Sequence, residues 1–210
     1  DISNDGQYII AERSRFGYSQ LVKVSLASES LGKVIAELTP QSLERVYDFP
    51  RLRPTTDGSV SDSFAYVSSS LNNKWQLKVR QLNGEQEQII PLPENYQYLS
   101  FPEWSKDGQS LYFVAGLNSA TRLYKYDFVN QALVGVTSGE QVITWPMVKD
   151  NSQLLHLAIN SQGPDVYQLD LAKANNQIIT NTTKKSTMTV NLAEDLKAQR
   201  EFFYPVACIR

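Results

Sequence analysis

One sentence recurs four times along this chain, and that repetition limits the fold more than any other feature. A Pro shortly before a Trp or branched residue leads into an Asp-Gly-like turn, and an apolar strand follows. A polar loop then gives way to a second alternating strand and to a short third one. The third copy is the clearest: Phe101-Pro102-Glu103-Trp104-Ser105-Lys106-Asp107-Gly108, then Ser110–Val114, then Arg122–Phe128. The fourth runs from Trp145-Pro146-Met147-Val148 through the turn Asp150-Asn151 to Leu154–Leu157 and Asp165–Leu171. The second begins at Phe49-Pro50-Arg51-Leu52, turns at Asp57-Gly58 and continues through Phe64–Val67 and Gln76–Leu82. The first enters at Asp5-Gly6, followed by Tyr8–Ala11 and Leu21–Leu26.

Spacing tests this alignment independently of residue type. The step from the turn Asp to the first apolar residue of the later strand is 16 residues for Asp5 to Leu21, Asp107 to Leu123 and Asp150 to Val166. In the second copy it is 20, consistent with an insertion around Ser59–Asp62. Successive turns lie 52, 50 and 43 residues apart. A period of roughly 40–50 residues with about four short strands per unit is the signature of propeller blades. Candidate fourth strands are Lys33–Leu38, Gln88–Leu92, Ala132–Thr137 and Gln177–Thr180. The expected fold is therefore all-β, a single β-propeller domain over 1–210 with about four four-stranded blades. The blades are placed at 1–40 plus 203–210, 45–92, 99–138 and 143–181.

The first copy lacks an opening strand, and Phe203-Tyr204-Pro205-Val206-Ala207-Cys208-Ile209 reads as an orphan one with its Pro in register. Two arrangements follow. Either this tail closes the first blade beside Tyr8–Ala11, or the blades are an arc of a larger propeller. Before the tail, residues 190–201 are expected to form a helical insert, with Asn191 as cap, Glu194 reaching back, and Lys197 and Arg200 in the last turn.

The stretch Phe101–Gly108, with the Leu-Tyr pairs that follow it, resembles the WD-like repeat of TolB-type bacterial propellers. The same repeat occurs in the propellers of prolyl-oligopeptidase-like enzymes and of some membrane-anchored bacterial regulators. The resemblance covers roughly residues 1–181, with Asn151 in place of Gly and Arg53-Pro54-Thr55-Thr56 in place of Trp-Ser as departures. It implies a bacterial periplasmic setting, in an envelope complex or as the sensor half of a regulator. A repeat of this kind identifies a blade, not an activity.

The residue inventory narrows the chemistry. Twenty Lys+Arg against 22 Asp+Glu leave a net charge of −2, which does not suit a duplex nucleic-acid binder. No apolar run approaches the roughly 20 residues of a membrane span, and no signal peptide opens the chain, so residue 1 is not expected to be the translation start. The single cysteine, Cys208, excludes an internal disulfide and a cysteine-rich zinc site. His156 falls on a blade-packing position and reads as structural, and no Gly-x-Ser-x-Gly elbow occurs. Asp1, Ser3, Asp5, Gly6 and Glu12 nearly match a calcium loop, but Asp5-Gly6 is already accounted for as the blade turn. Asn181-Thr182-Thr183 is a glycosylation sequon that matters only in a glycosylating pathway. No catalytic residue, metal or cofactor is therefore expected.

One rim of such a propeller gathers the loops between second and third strands with the links between blades. Arg13, Arg15, Phe16, Tyr18, Trp75, Tyr96 and Tyr98 fall there, with Tyr47 nearby. Arg and aromatic residues dominate binding hot spots; aromatics at strand ends also pack between blades. The expected role is a non-catalytic binding or sensor module with a protein or peptide partner on this rim. No nucleic-acid contact and no direct membrane insertion are expected. The alternative is the gating propeller of a prolyl-oligopeptidase-like peptidase whose catalytic domain lies elsewhere.

Overall fold

The computed structural model describes residues 1–70, 75–84, 86–117, 120–139, 141–161, 163–180, 182 and 186–189. Over this span the chain is all-β, with one short 3-10 turn at Ser28–Ser30 and four antiparallel sheets. Blade one contains β1 (Tyr8–Arg15), β2 (Tyr18–Ser25) and β3 (Val34–Glu37). Blade two contains β4 (Arg45–Leu52), β5 (Ser63–Ser70), β6 (Trp75–Gln81) and β7 (Gln86–Ile89). Blade three contains β8 (Tyr98–Trp104), β9 (Ser110–Leu117), β10 (Ala120–Asp127) and β11 (Ala132–Gly135). Blade four contains β12 (Val142–Val148), β13 (Gln153–Asn160) and β14 (Gly163–Asp170). Within each blade the strands pair in sequence order, as the repeat requires.

Two further strands depart from the expected blades. β15 (Gln177–Ile178), expected as the fourth strand of blade four, instead pairs with β11 of blade three, Val134 opposite Ile178 and Gly135 opposite Gln177. Ile179 N–H bonds to Leu133 O at 2.9 Å and extends this pairing. β16 (Ser186–Thr189) pairs with β7 and covers the outer edge of blade two. Blades two and three therefore carry five strands each, while blades one and four carry three among the described residues.

The repeated turns are fixed by their Asp side chains. Asp5 Oδ1 accepts from Ser3 Oγ at 2.6 Å and Gln7 N at 3.0 Å, and Asp107 Oδ1 from Ser105 Oγ at 2.6 Å and Gln109 N at 2.9 Å. Gly6 and Gly108 follow at φ +67° and +66°. Asp150 accepts from Ser152 N at 2.8 Å, which explains why the fourth copy still turns with Asn151 in place of Gly. These donors, the Ser hydroxyls first, hold the carboxyls of Asp5, Asp107 and Asp150 below the ordinary Asp range.

A second repeated device sits in the opening strands. Phe49, Phe101 and Trp145 adopt φ of 54°, 52° and 44°, each directly before a Pro, and the pairing register slips at all three places. A left-handed non-Gly residue is uncommon, so its recurrence in three blades marks a built bulge rather than local strain.

Three apolar cores join the blades. Tyr8, Ile10, Leu21, Leu52 and Phe64 fill the space between blades one and two. Val67, Leu77, Leu99, Leu111, Phe113 and Tyr126 fill that between two and three. Val114, Leu123, Ile143, Val148 and Leu154 join three to four. A closed ring of four blades needs a fourth core. Among the described residues none joins blade four to blade one. The helical insert 190–201 and the closing strand 203–210 lie outside the described residues. On the described side, the expected docking edge beside Tyr8–Ala11 is largely taken. Ile10 N bonds to Asp1 O at 2.8 Å, Ser3 N to Tyr8 O at 2.9 Å, and Ile2 bridges Ile9. The residues Asp1-Ile2-Ser3 occupy the place that Glu103-Trp104-Ser105 occupies in blade three.

Candidate functional site

The rim is built by the hairpin turns of the blades and the links between them. In blade one, β1 and β2 pair from Tyr8–Ser25 out to Arg15–Tyr18, leaving a two-residue turn, Phe16-Gly17. Both residues have positive φ, 51° and 81°, as a turn matched to strand twist demands. Gly meets that demand freely; Phe16 meets it at a cost and stands 84% exposed. The Arg15 guanidinium lies 5.2 Å from its ring. Ser19 N bonds to Ser42 O at 2.9 Å, so the link to blade two lies alongside this hairpin.

Arg13, Arg15, Phe16 and Tyr18 come together, with Gln20 and Gln41, around an open cleft of about 190 Å³. Arg13 donates to Gln20 Oε1 and to Glu37 Oε1 at 3.0 Å, and buried Gln20 donates onward to Thr39 O at 2.8 Å. Those bonds fix Arg13 as the cleft wall, while exposed Arg15 faces solvent. Leu43 stands exposed beside Gly17 at the hairpin tip.

Trp75, Tyr96 and Tyr98 form a separate group at the junction of blades two and three. The Trp75 and Tyr98 rings meet edge-on at 5.8 Å, and the Tyr96 hydroxyl donates to Trp75 O. Trp75 and Tyr96 pack on the core between these blades, and burial raises the Tyr96 pKa. Tyr98, 37% exposed, is the member that faces outward. Tyr47 is buried and packs on Tyr66. The seven residues thus divide: four line a cleft, and two of the remaining three serve packing between blades.

His156 is 6% exposed, stacks on Tyr167 at 5.9 Å, and has its pKa lowered by burial. Its Nδ1 makes no hydrogen bond among the described residues. No group of three or more His, Cys, Asp or Glu gathers among the described residues in a way that would hold a metal. Cys208 lies outside the described residues. The most displaced carboxyl is Asp48, pushed up to about 6 by burial and then by the charge of Glu12. Glu12 in turn accepts from Phe49 N at 2.7 Å. The signal for Asp48 was present in the repeat: the corresponding positions, just before the bulge aromatics, are the neutral Ser100 and Thr144.

Comparison with known proteins supports the fold. No family model and no curated protein matches the sequence. Among solved structures, a candidate TolB of Agrobacterium tumefaciens superposes with TM-score 0.61 at 16% identity, over 86% of this chain and 60% of that one. Oligopeptidase B from Trypanosoma brucei gives TM-score 0.58 at 10% identity, over 89% of this chain and 27% of that one. A puromycin-hydrolyzing peptidase of Mycobacterium tuberculosis gives 0.57 at 14%, over 82% and 27%. The chain thus spans less than two thirds of each of these proteins. At such identities the likeness is one of fold, and the fold is the β-propeller seen in TolB and in the propeller domains of these peptidases.

Proposed function

We propose that this β-propeller module is a non-catalytic binding or sensor domain, presenting the cleft of Arg13, Arg15, Phe16 and Tyr18 to a protein or peptide. Phe16 carries the reading. An aromatic ring held at positive φ and 84% exposed contributes nothing to a core, and it stands beside a solvent-facing guanidinium. Arg and aromatic side chains in that arrangement are the usual anchors of protein recognition. The repeat's resemblance to TolB-type propellers supports a bacterial periplasmic setting, in an envelope complex or as the outer half of a membrane-anchored regulator. No helix among the described residues is long and apolar enough to cross a membrane, so direct insertion through one is not part of the proposal. A second reading, an accessory gating propeller of a prolyl-oligopeptidase-like peptidase, is favoured by the likeness to peptidase chains of which this chain covers 27%.

Capture from a bacterial envelope extract tests the first reading. The intact chain is expected to retain a protein that Phe16→Ser/Arg15→Ala loses and that Val129→Ser, altered on an exposed residue elsewhere, keeps. Equal capture by all three forms would remove the cleft from the proposal. Peptidase activity restored on mixing with a separately expressed hydrolase domain would favour the second reading.

A further inference from the structure

The aromatic residues of the opening-strand bulges form a ladder that stops short. Phe49 of blade two meets Phe101 of blade three at 4.9 Å, and Phe101 meets Trp145 of blade four at 5.4 Å. Phe49 and Phe101 are half-buried, since each packs on the core shared with the next blade. Trp145 has no next blade among the described residues and stands 62% exposed. The sheet face around it is apolar. Pairing places Val142 opposite Ile159, and Met147 opposite Leu155, on the face turned away from the core with blade three. Val142, Met147 and Ile159 are all exposed there.

The chain carries a segment of matching pattern. In repeat register, Tyr204-Pro205 stands where Phe49-Pro50, Phe101-Pro102 and Trp145-Pro146 stand, and Val206 where Arg51, Glu103 and Met147 stand. We propose that residues 203–209 dock on this free face of blade four as the opening strand of a further blade, with Tyr204 against Trp145. Blade one offers no such place. Asp1 and Ile2 already pair with Ile10 and Ile9 there, in the positions that Val206 and Ala207 would need. The fourteen-residue stretch from Thr189 to Phe203 can span on the order of 45 Å if extended. A second copy of the chain would cover the same apolar surface, but only the tail supplies an aromatic–Pro step in register with the ladder.

Crosslinking of the full chain tests this. Arg51 and Glu103, equivalent residues on neighbouring blades, approach to 3.4 Å, so residues 147 and 206 should be neighbours too. The variant Met147→Cys/Val206→Cys/Cys208→Ser, treated with a short bis-maleimide, is expected to give crosslinked monomer as its main product. A partner variant, Glu12→Cys/Val206→Cys/Cys208→Ser, is expected to give almost none. Crosslinking through residue 12 would put the tail on blade one, crosslinked dimer would make a second copy the occupant, and absence of any product would leave the face uncovered. Each of these overturns the proposal. In the otherwise unaltered chain, Tyr204→Ala should increase acrylamide quenching of the emission component that Trp145→Phe removes, and unchanged quenching would count equally against it.

Discussion

Blades two and three differ from blades one and four although all four descend from the same repeat. The inner pair carry five strands each, their faces are filled by neighbouring cores, and their outer edges are covered by β16 and β15. Among the described residues the outer pair carry three strands, and exposed apolar residues stand on their surfaces: Leu31, Val34 and Ile35 on blade one, Val142, Met147 and Val166 on blade four. The contrast teaches that the repeat specifies what lies inside a blade and between two blades. What finishes a blade comes from outside it.

The contrast is sharpest for charged pairs. In blade two, Lys78 Nζ and Glu87 Oε1 lie 2.7 Å apart, Glu87 is 2% exposed, and the Tyr66 hydroxyl donates to its other oxygen. Glu87→Ala would leave the Lys78 charge and the Tyr66 hydroxyl buried without their acceptor, a loss of about 3–5 kcal/mol. In blade one, Arg13 and Glu37 lie 3.0 Å apart but remain in contact with solvent. Glu37→Ala should cost at most about 1 kcal/mol. Urea unfolding of both variants checks this, and comparable losses would mean that the two blades are equally closed.

Apolar truncations should follow the same division with a smaller span. Leu133 lies in β11, buried in the core between blades two and three under the cover of β15. Leu133→Ala should cost about 2–5 kcal/mol. Ile35, in the outermost strand of blade one, is exposed, and Ile35→Ala should stay within about 0.5 kcal/mol of the parent. A loss at Ile35 as large as that at Leu133 would show that blade one is covered in solution.

Much of this was readable from residues, and what was not has physical causes. The Asp turns announced themselves because an Asp followed at fixed distance by alternating strands has few other uses. The 16-residue spacing places Leu21 and Leu123 at equivalent buried points of two cores, whereas Val166, at the same spacing, stands exposed on blade four. Gln177–Thr180 was legible as a strand but not its pairing with blade three, and β16 was hidden because Ser186-Thr187-Met188-Thr189 carries no apolar alternation; pairing to a waiting edge needs none. The left-handed bulges were hidden for a related reason: aromatic residues give no sign of positive φ, as Gly does. At the rim, Phe16-Gly17 between two alternating runs marked the hairpin tip, whereas only packing revealed that Trp75 and Tyr96 belong to a core.

Charge sets one position of blade two apart from its neighbours. Asp48 stands where blades three and four place Ser100 and Thr144, just before the bulge, and it shares its surroundings with Glu12. Burial, then the charge of Glu12, raises its pKa from the ordinary 3.8 to about 6. Between those values the folded chain holds a proton that the unfolded chain has released, so stability falls as pH rises through this window. Above pH 6 the ionised carboxylate is carried at its full cost. The displacement corresponds to roughly 3 kcal/mol at full strength, reduced by solvent at this half-buried side chain to on the order of 1 kcal/mol. The Asp turns act in the opposite sense, because their depressed pKa values give stability that is lost as pH falls, so the wild-type profile alone would blur the two. The difference between Asp48→Asn and the parent removes that background. Asp48→Asn should melt higher than the parent at pH 7, with the gain shrinking below pH 6 and vanishing near pH 4. A gain that does not change between pH 7 and pH 4 would assign the effect to packing, and a loss at pH 7 would show that the charge stabilises the bulge.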